Sequence, residues 1–166
     1  DMQTFIAAVN GETLEARNNQ RVGTVIRKTN ETAISVRVNL DAIAPVRIHT
    51  GIGFYDHMLD QIAKHGGFSL EIECDGDLHV DPHHSIEDCA IAIGQAILQA
   101  LGDKRGIGRY GFFLPMDESQ VKVALDFGGR FYLDFKANFP ESRVGDLPTD
   151  MVRHVFYSLA ENMQAN

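Results

Sequence analysis

The chain has 166 residues, 44% hydrophobic and 23% charged, which is enough for one globular domain with a sizeable core. Its formal net charge of −8 argues against a nucleic-acid surface, because phosphate backbones bind basic faces. No apolar run approaches the roughly 18–20 residues that cross a bilayer, and the first residues show no signal-type core, so we expect no membrane partner and a cytoplasmic location.

The first elements follow from hydrophobic periodicity. Residues 1–20 are largely polar, and we interpret them as an N-terminal tail or linker remnant. From Arg21 onward apolar residues recur at every second position, which predicts two antiparallel strands that turn at Thr29 to Thr32. Residues 54–68 change to a helical period and predict a helix that ends at Gly66-Gly67.

The next elements predict a strand followed by a long helix. Residues 68–81 indicate a strand, a turn at Asp75-Gly76 and a further short strand. Residues 83–102 predict a strongly amphipathic helix that ends at Gly102. The two cysteines lie in the interiors of these elements, which favours reduced core thiols over a disulfide.

The remaining chain repeats this order more faintly. Residues 121–127 and 130–135 predict strands, and residues 149–162 predict a helix with Thr149 as its N-cap. Strands followed by a helix therefore occur twice, which indicates an α+β fold with internal duplication. The spacing from His57 to His83, applied to His154, places a corresponding second pair of histidines beyond Asn166.

His83, His84 and Glu87 begin the long helix and form a candidate metal site. Glu87 lies four and three residues after the histidines, so it can approach both. Adjacent histidines diverge by about 100° on a helix and can serve two metals. Imidazole with carboxylate suits manganese, iron, cobalt, nickel or zinc. The alternative is a polar helix start in which Asp81 and Glu87 favour the positive end of the dipole.

Three other histidines are weaker candidates. His57 shares a polar helical face with Gln61 and can supply a ligand from a second element, although a solvated surface histidine is the alternative. His154 occupies the corresponding helix of the faint repeat, where a rim histidine is the alternative. His65 either caps its own helix or faces the site.

Two arginines are candidates for binding phosphate. Arg109 lies in a glycine-bearing loop in which backbone amides and a guanidinium can surround a phosphate. Arg130 follows Gly128-Gly129 and suits either a turn or a phosphate clamp. An ordinary surface arginine is the alternative for Arg109. Glu31, at the tip of the first hairpin, is unremarkable by composition.

Five ordered blocks resemble one known family. They read NETAISVRVNLD, HTGIGFYDHMLDQIAKHGGF, GDLHVDPHHSIEDCAIAIGQA, KRGIGRYGFFLPMDE and VGDLPTDMVRH. In these blocks the chain resembles imidazoleglycerol-phosphate dehydratase, the manganese-dependent lyase of histidine biosynthesis. It is similar to the dehydratase part of bacterial bifunctional enzymes in which a histidinol-phosphatase domain comes first. Residues 21–166 are then the dehydratase domain, with a first half of about 21–104 and an incomplete second half of about 105–166.

The resemblance implies a fold and a site. The fold is a tandem duplication of a small βαβ-type unit, with each half a four-stranded sheet backed by helices. Two Mn²⁺ ions per active site are implied, with ligands at His57, His83, His84, Glu87 and His154. Substrate contacts are implied at Glu31, His57, Gln61, His65, His83, Glu87, Arg109 and Arg130. The family's second HHxxE block and lysine-bearing tail have no counterpart in the sequence, so we expect three ligands and part of the phosphate site to be missing.

The implied reaction removes water from D-erythro-imidazole-glycerol phosphate and gives imidazole acetol phosphate. Two metals beside the ring stabilise an imidazolate, which expels the hydroxyl to form a diazafulvene, and Glu31 is our hypothesis for the base that removes the C–H proton. A large homo-oligomer of trimers, usually of twenty-four subunits, is also implied. Two alternatives are a dinuclear metallohydrolase of a phosphate ester and a truncated, inactive metal-binding subunit.

Overall fold

The computed structural model describes residues 20–166, so all of the predicted tail at residues 1–20 except its last residue lies outside the described part of the chain. The described residues form a mixed α+β structure, as predicted. Its elements in chain order are β1 (Val22–Lys28), β2 (Thr32–Asn39), β3 (Val46–His49), α1 (Gly53–Gly66), β4 (Ser69–Gly76), α2 (His83–Leu101), β5 (Tyr110–Met116), β6 (Ser119–Leu125), β7 (Arg143–Val144), β8 (Leu147–Pro148) and α3 (Met151–Met163).

A four-stranded sheet organises the first half of the chain. Its order is β1-β2-β4-β3, and the predicted hairpin of β1 and β2 is confirmed, with Val22 opposite Asn39 and Lys28 opposite Ala33. Strand β3 runs parallel to β4 and was not predicted. A strand of four residues leaves too short an alternation to recognise, and its pairing with β4 is not local in sequence.

The predicted turn at Asp75-Gly76 and the short strand after it are wrong. Strand β4 continues through both residues, because Asp75 pairs with Ala33 and Gly76 pairs with Thr32 of β2. A Cβ atom on Gly76 would lie 2.0 Å from Ser85 Oγ. The glycine therefore permits close approach of the strand to the start of α2 and does not make a turn.

Helix α2 covers the inner face of this sheet. Ile34, Val36 and Val38 of β2 alternate with exposed residues and are at most 2% exposed, as period-two patterning requires. Helix α2 presents Ile86, Cys89 and other buried residues to them. Both cysteines are free, as predicted. The core therefore fixes the position of α2, whose first residues include the candidate metal ligands.

Gly23→Ala is expected to lower the free energy of unfolding by about 3 kcal/mol, the upper end of what overpacking usually costs. A Cβ atom on Gly23 would lie 1.8 Å from the backbone oxygen of Ala96 in α2, so either β1 or α2 must move. Urea unfolding measures the change. Gly108→Ala is the control, since no described atom lies within 4 Å of its Cβ position, and equal stabilities of the two variants would contradict this packing.

Helix α1 is held by a residue from far along the chain. Its predicted end at Gly66-Gly67 is confirmed, with Gly67 in the left-handed conformation. At its start, Asp146 accepts hydrogen bonds from the Gly53 and Phe54 backbone N–H groups at 2.6 and 2.9 Å. The Phe54 bond is the largest cause that lowers the pKa of Asp146 below its ordinary value. A loop of the second half therefore caps a helix of the first.

Asp146→Ala is expected to reduce stability by about 1 kcal/mol at pH 7, the usual cost of a lost helix cap. Because folding lowers the pKa of Asp146, its contribution is present above the unfolded value near 4 and is lost as the pH falls through the folded pKa. As the pH is lowered from 7 to 2, the free energies of unfolding of the wild type and the variant should therefore converge. Asp150→Ala is the control, because Asp150 precedes α3 and its side chain makes no capping hydrogen bond within residues 20–166. A difference that persists at pH 2 would contradict this assignment.

The second half is built differently from the first. Strand β6 and helix α3 confirm two predictions, but residues 130–135 form no strand. The backbone N–H groups of Gly129 and Tyr132 donate to carbonyl groups of residues 164 and 165 instead. Within the described residues this half contains only two-stranded sheets, β5-β6 and β7-β8, so the four-stranded sheet occurs once.

The predicted N-cap of α3 is also wrong. Thr149 Oγ1 donates to the Glu141 carbonyl at 2.6 Å and makes no bond to the helix, which begins after Asp150.

None of the helices in residues 20–166 is both long and apolar enough to cross a membrane.

Candidate functional site

The start of α2 brings His83 and Glu87 into direct contact. His83 Nε2 lies 3.2 Å from Glu87 Oε2, as expected for residues four apart on a helix. Both side chains are partly exposed, at 45% and 40%. Asp81 Oδ1 accepts the His83 backbone N–H at 2.6 Å, so the helix start is satisfied from the preceding loop. The pair is therefore accessible and held in place.

His84 points to a different partner, as its helical rotation requires. Its Nδ1 atom lies 3.2 Å from Asp77 Oδ2, in the loop between β4 and α2. The backbone N–H of Asp77 donates to the Glu31 carbonyl at 3.1 Å. The tip of the first hairpin, this loop and the start of α2 therefore meet, and Glu31 lies at the same end of the sheet as the paired histidines.

His154, on α3, joins His83, His84 and Glu87 in a cluster at the start of α2. Its ring centroid is 5.5 Å from that of His83. The two helices pack closely because Gly94 of α2 has no side chain, and a Cβ atom there would lie 3.0 Å from the Leu159 carbonyl oxygen. The faint repeat was the reason to single out His154, and the structure places it beside the first histidine pair.

A partly buried ion pair fixes the hairpin tip to α2. Asp88, adjacent to Glu87, accepts hydrogen bonds from Thr32 Oγ1 at 2.6 Å and from Arg27 Nη2 at 2.9 Å. Its side chain is 12% exposed. Asp88 was not predicted from the sequence. Its place beside the apolar stripe of an amphipathic helix is a usable signal of a partly buried ion pair, because carboxylates are rarely buried without partners.

Sequence reasoning also missed Asp77. Its signal is weak, because seven residues separate it from His84 and no regular spacing brings the two together. Only the path of the loop after β4 creates the contact.

Three other predicted site residues lie on α1, away from this cluster. His57 lines a shallow hollow of about 390 Å³ against β3, together with His49 and Asp60. No hydrogen bond or ring contact joins it to His83 or His84 in the described residues, so its role as a ligand stays a prediction.

Gln61 and His65 contact each other, with Gln61 Oε1 3.0 Å from His65 Nε2. They line a largely apolar cavity of about 530 Å³ between α1 and α3. Their roles as substrate contacts also stay predictions.

The two candidate phosphate ligands lie in the second half. Arg109 precedes β5 and pairs with Asp126 at 3.0 Å, with its side chain 85% exposed. Arg130 lies in the exposed segment after Gly129. Neither makes a hydrogen bond to the cluster at the start of α2 within residues 20–166, so their joint role stays a prediction.

The donor set at the start of α2 fits a first-row divalent metal. His83 Nε2 and Glu87 Oε2 are separated by 3.2 Å, close to the roughly 3 Å expected for neighbouring ligands of one octahedral ion. In the described residues no three His, Cys, Asp or Glu side chains converge closely enough to hold an ion. The pair therefore suits part of a coordination sphere.

Comparison with known proteins decides the family. The model of the imidazoleglycerol-phosphate dehydratase family matches residues 50–166. The chain belongs to the imidazoleglycerol-phosphate dehydratase family. Every candidate site residue except Glu31 lies within the matched range.

Relatives of this dehydratase family support the assignment. The histidine biosynthesis bifunctional protein HisB of Stenotrophomonas maltophilia is 57% identical over 141 residues, which are 85% of this chain and 40% of that protein. HisB of Actinobacillus pleuropneumoniae is 47% identical over 165 residues, 99% of this chain and 46% of that protein. The chain thus spans less than half the length of these relatives.

A solved dehydratase has the same fold. The crystal structure of imidazoleglycerol-phosphate dehydratase from Staphylococcus aureus superposes with a TM-score of 0.77 at 33% identity, covering 87% of this chain and 80% of that one. The dehydratase from Pyrococcus furiosus gives a TM-score of 0.68 at 25% identity over 85% of this chain and 75% of that chain.

Proposed function

We propose that the protein is an imidazoleglycerol-phosphate dehydratase, a hydro-lyase that converts D-erythro-imidazole-glycerol phosphate to imidazole acetol phosphate in histidine biosynthesis. Family membership carries the proposal. It is supported by the cluster of His83, Glu87 and His154 beside the hairpin that carries Glu31. The cytoplasm is the proposed compartment, as is usual for a biosynthetic enzyme.

We propose manganese as the cofactor, with His83 and Glu87 as ligands of one ion and His84 as a ligand of a second. His57 and His154 are further proposed ligands. Bound Mn²⁺ supplies Lewis-acid stabilisation of negative charge on the imidazole ring. The protein supplies one carboxylate with neutral imidazoles, a donor set that manganese accepts.

Glu31 is proposed to take the C–H proton of the substrate. Its side chain makes no hydrogen bond or ion pair within residues 20–166, so its carboxylate is available as an acceptor. Its backbone is fixed on both sides, since Glu31 N–H donates to Thr29 Oγ1 at 3.2 Å and its carbonyl accepts from Asp77. Because its backbone is already fixed, the base loses little conformational entropy when it is positioned for proton transfer.

Arg109 and Arg130 are proposed to bind the substrate phosphate, with Gln61 and His65 as further substrate contacts. Guanidinium groups bind phosphate through paired charge-assisted hydrogen bonds. The Arg109 side chain is almost fully exposed, so its bond to Asp126 can be exchanged for a bond to a ligand.

The test is to mix the protein with Mn²⁺ and imidazoleglycerol phosphate and to measure ketone and inorganic phosphate separately. The proposal expects ketone to form with the phosphate ester intact. Release of phosphate without ketone would favour a metallohydrolase, and the absence of both products would favour a non-catalytic metal-binding subunit.

We also propose that the protein forms a homo-oligomer and that metal binding is coupled to its assembly. Exposed apolar side chains on the β5-β6 hairpin support association, among them Phe113, Leu114 and Met116 at 57–74% exposure. Removing the metal with EDTA is expected to reduce the particle mass measured by light scattering, and added Mn²⁺ should restore it. A mass unchanged by EDTA would contradict the coupling.

A further inference from the structure

Asp77 connects two parts of the candidate site. It directly follows β4, whose last residues pair with the start of β2. Its backbone N–H donates to the Glu31 carbonyl at 3.1 Å, and its Oδ2 atom lies 3.2 Å from His84 Nδ1. One residue therefore sets the position of the proposed base and of a proposed metal ligand.

The contact with Asp77 determines which nitrogen of His84 carries the proton. An ionised carboxylate only accepts hydrogen bonds, so Nδ1 of His84 must be the donor. In the neutral ring Nε2 then carries a lone pair. A histidine that binds metal through one ring nitrogen usually donates its other N–H to a carboxylate or carbonyl group.

The surroundings of Asp77 indicate a role beyond stability. Its side chain is only 18% exposed, and Oδ1 is buried without a hydrogen-bond partner in the described residues. A buried carboxylate oxygen without a partner costs free energy. The contact with His84 is the single hydrogen bond that the Asp77 side chain makes within residues 20–166. A contribution to stability alone does not explain why Asp77 is kept here with one carboxylate oxygen buried and unpaired.

We propose that Asp77 is a positioning residue that holds His84 in the Nδ1-protonated form and so presents Nε2 to the metal. The identity of the ion as Mn²⁺ rests on the proposed function. The position of the proton on His84 does not, because it follows from the contact with Asp77 alone.

The first test is NMR of the metal-free protein labelled with ¹⁵N-histidine, at about pH 8, above the ordinary histidine pKa of about 6.5. His84 should carry its proton on Nδ1 in the wild type. In Asp77→Ala it should shift toward Nε2. Asp75→Ala is the matched control, since Asp75 lies exposed on β4 two residues before Asp77, and it should leave His84 unchanged. A His84 ring that stays Nδ1-protonated in Asp77→Ala overturns the proposal.

The second test is titration with Mn²⁺ followed by electron paramagnetic resonance. Asp77→Ala should bind manganese about 10- to 100-fold more weakly, and Asp75→Ala should bind as the wild type does. Asp77→Leu keeps much of the side-chain volume and the backbone contact to Glu31 but offers His84 no acceptor, so it should weaken binding about tenfold even if the alanine variant does not fold. Wild-type affinity in Asp77→Leu would overturn the proposal. A wild type that shows both expected properties but forms no ketone would refute the proposed function and leave this inference standing.

Discussion

Glu31→Gln is expected to lower kcat for imidazoleglycerol phosphate by about 10²- to 10⁴-fold, the range that general acid–base catalysis usually contributes. The amide cannot accept the proton, although it keeps the size and shape of the carboxylate. The two backbone contacts of Glu31, to Thr29 and Asp77, do not involve its side chain and should persist. The change should therefore fall on kcat and leave the fold intact.

Glu73→Gln is the matched control for this experiment. Glu73 is exposed on β4 and pairs with Ser35, on the sheet face away from α2. It undergoes the same chemical change without approaching the cluster, so its kcat should match the wild type. An undiminished kcat in Glu31→Gln would remove Glu31 as the base.

Glu87→Gln is expected to weaken Mn²⁺ binding by more than about 100-fold. Loss of a carboxylate that only orients a metal ligand already lowers metal affinity about 10- to 100-fold. Glu87 is proposed to bind the ion directly, so its loss should lower the affinity further. The substitution removes the negative charge 3.2 Å from His83 Nε2 while keeping the helix. Electron paramagnetic resonance of free Mn²⁺ measures the change.

Glu161→Gln controls for the loss of one helical carboxylate. Glu161 is exposed on α3, and its side chain makes no hydrogen bond or ion pair within residues 20–166. Its backbone carbonyl accepts the Gln164 N–H at 3.1 Å. Its manganese affinity should equal that of the wild type. Equal affinities of Glu87→Gln and the wild type would show that Glu87 is not a ligand.

Local periodicity predicted the parts of the fold whose contacts are near in sequence. The β1-β2 hairpin and helices α1, α2 and α3 were all predicted, because alternation and helical stripes report burial within a short window. The contact of His83 with Glu87 was predictable for the same reason, since helical spacing fixes it.

Long-range pairing explains what was missed. Strand β3 is defined by its parallel partner β4, and residues 130–135 alternate like a strand but pair with no strand within residues 20–166. Asp146 caps a helix more than ninety residues earlier, which no local pattern reveals.

The same limit applies to the site. The structure places His154 beside His83 through the packing of α2 on α3, and the repeat indicated His154 only indirectly. The partner of His84, Asp77, depends on a loop whose path the sequence does not specify.

Anomalous diffraction from crystals soaked with manganese, collected on both sides of the manganese absorption edge, tests the central claim most directly. The claim is that the start of α2 is a metal site. We predict a manganese peak within coordination distance of His83 Nε2 and Glu87 Oε2. A peak confined to another part of the molecule, such as the hollow lined by His49 and His57, or no peak at His83 and Glu87, would contradict it.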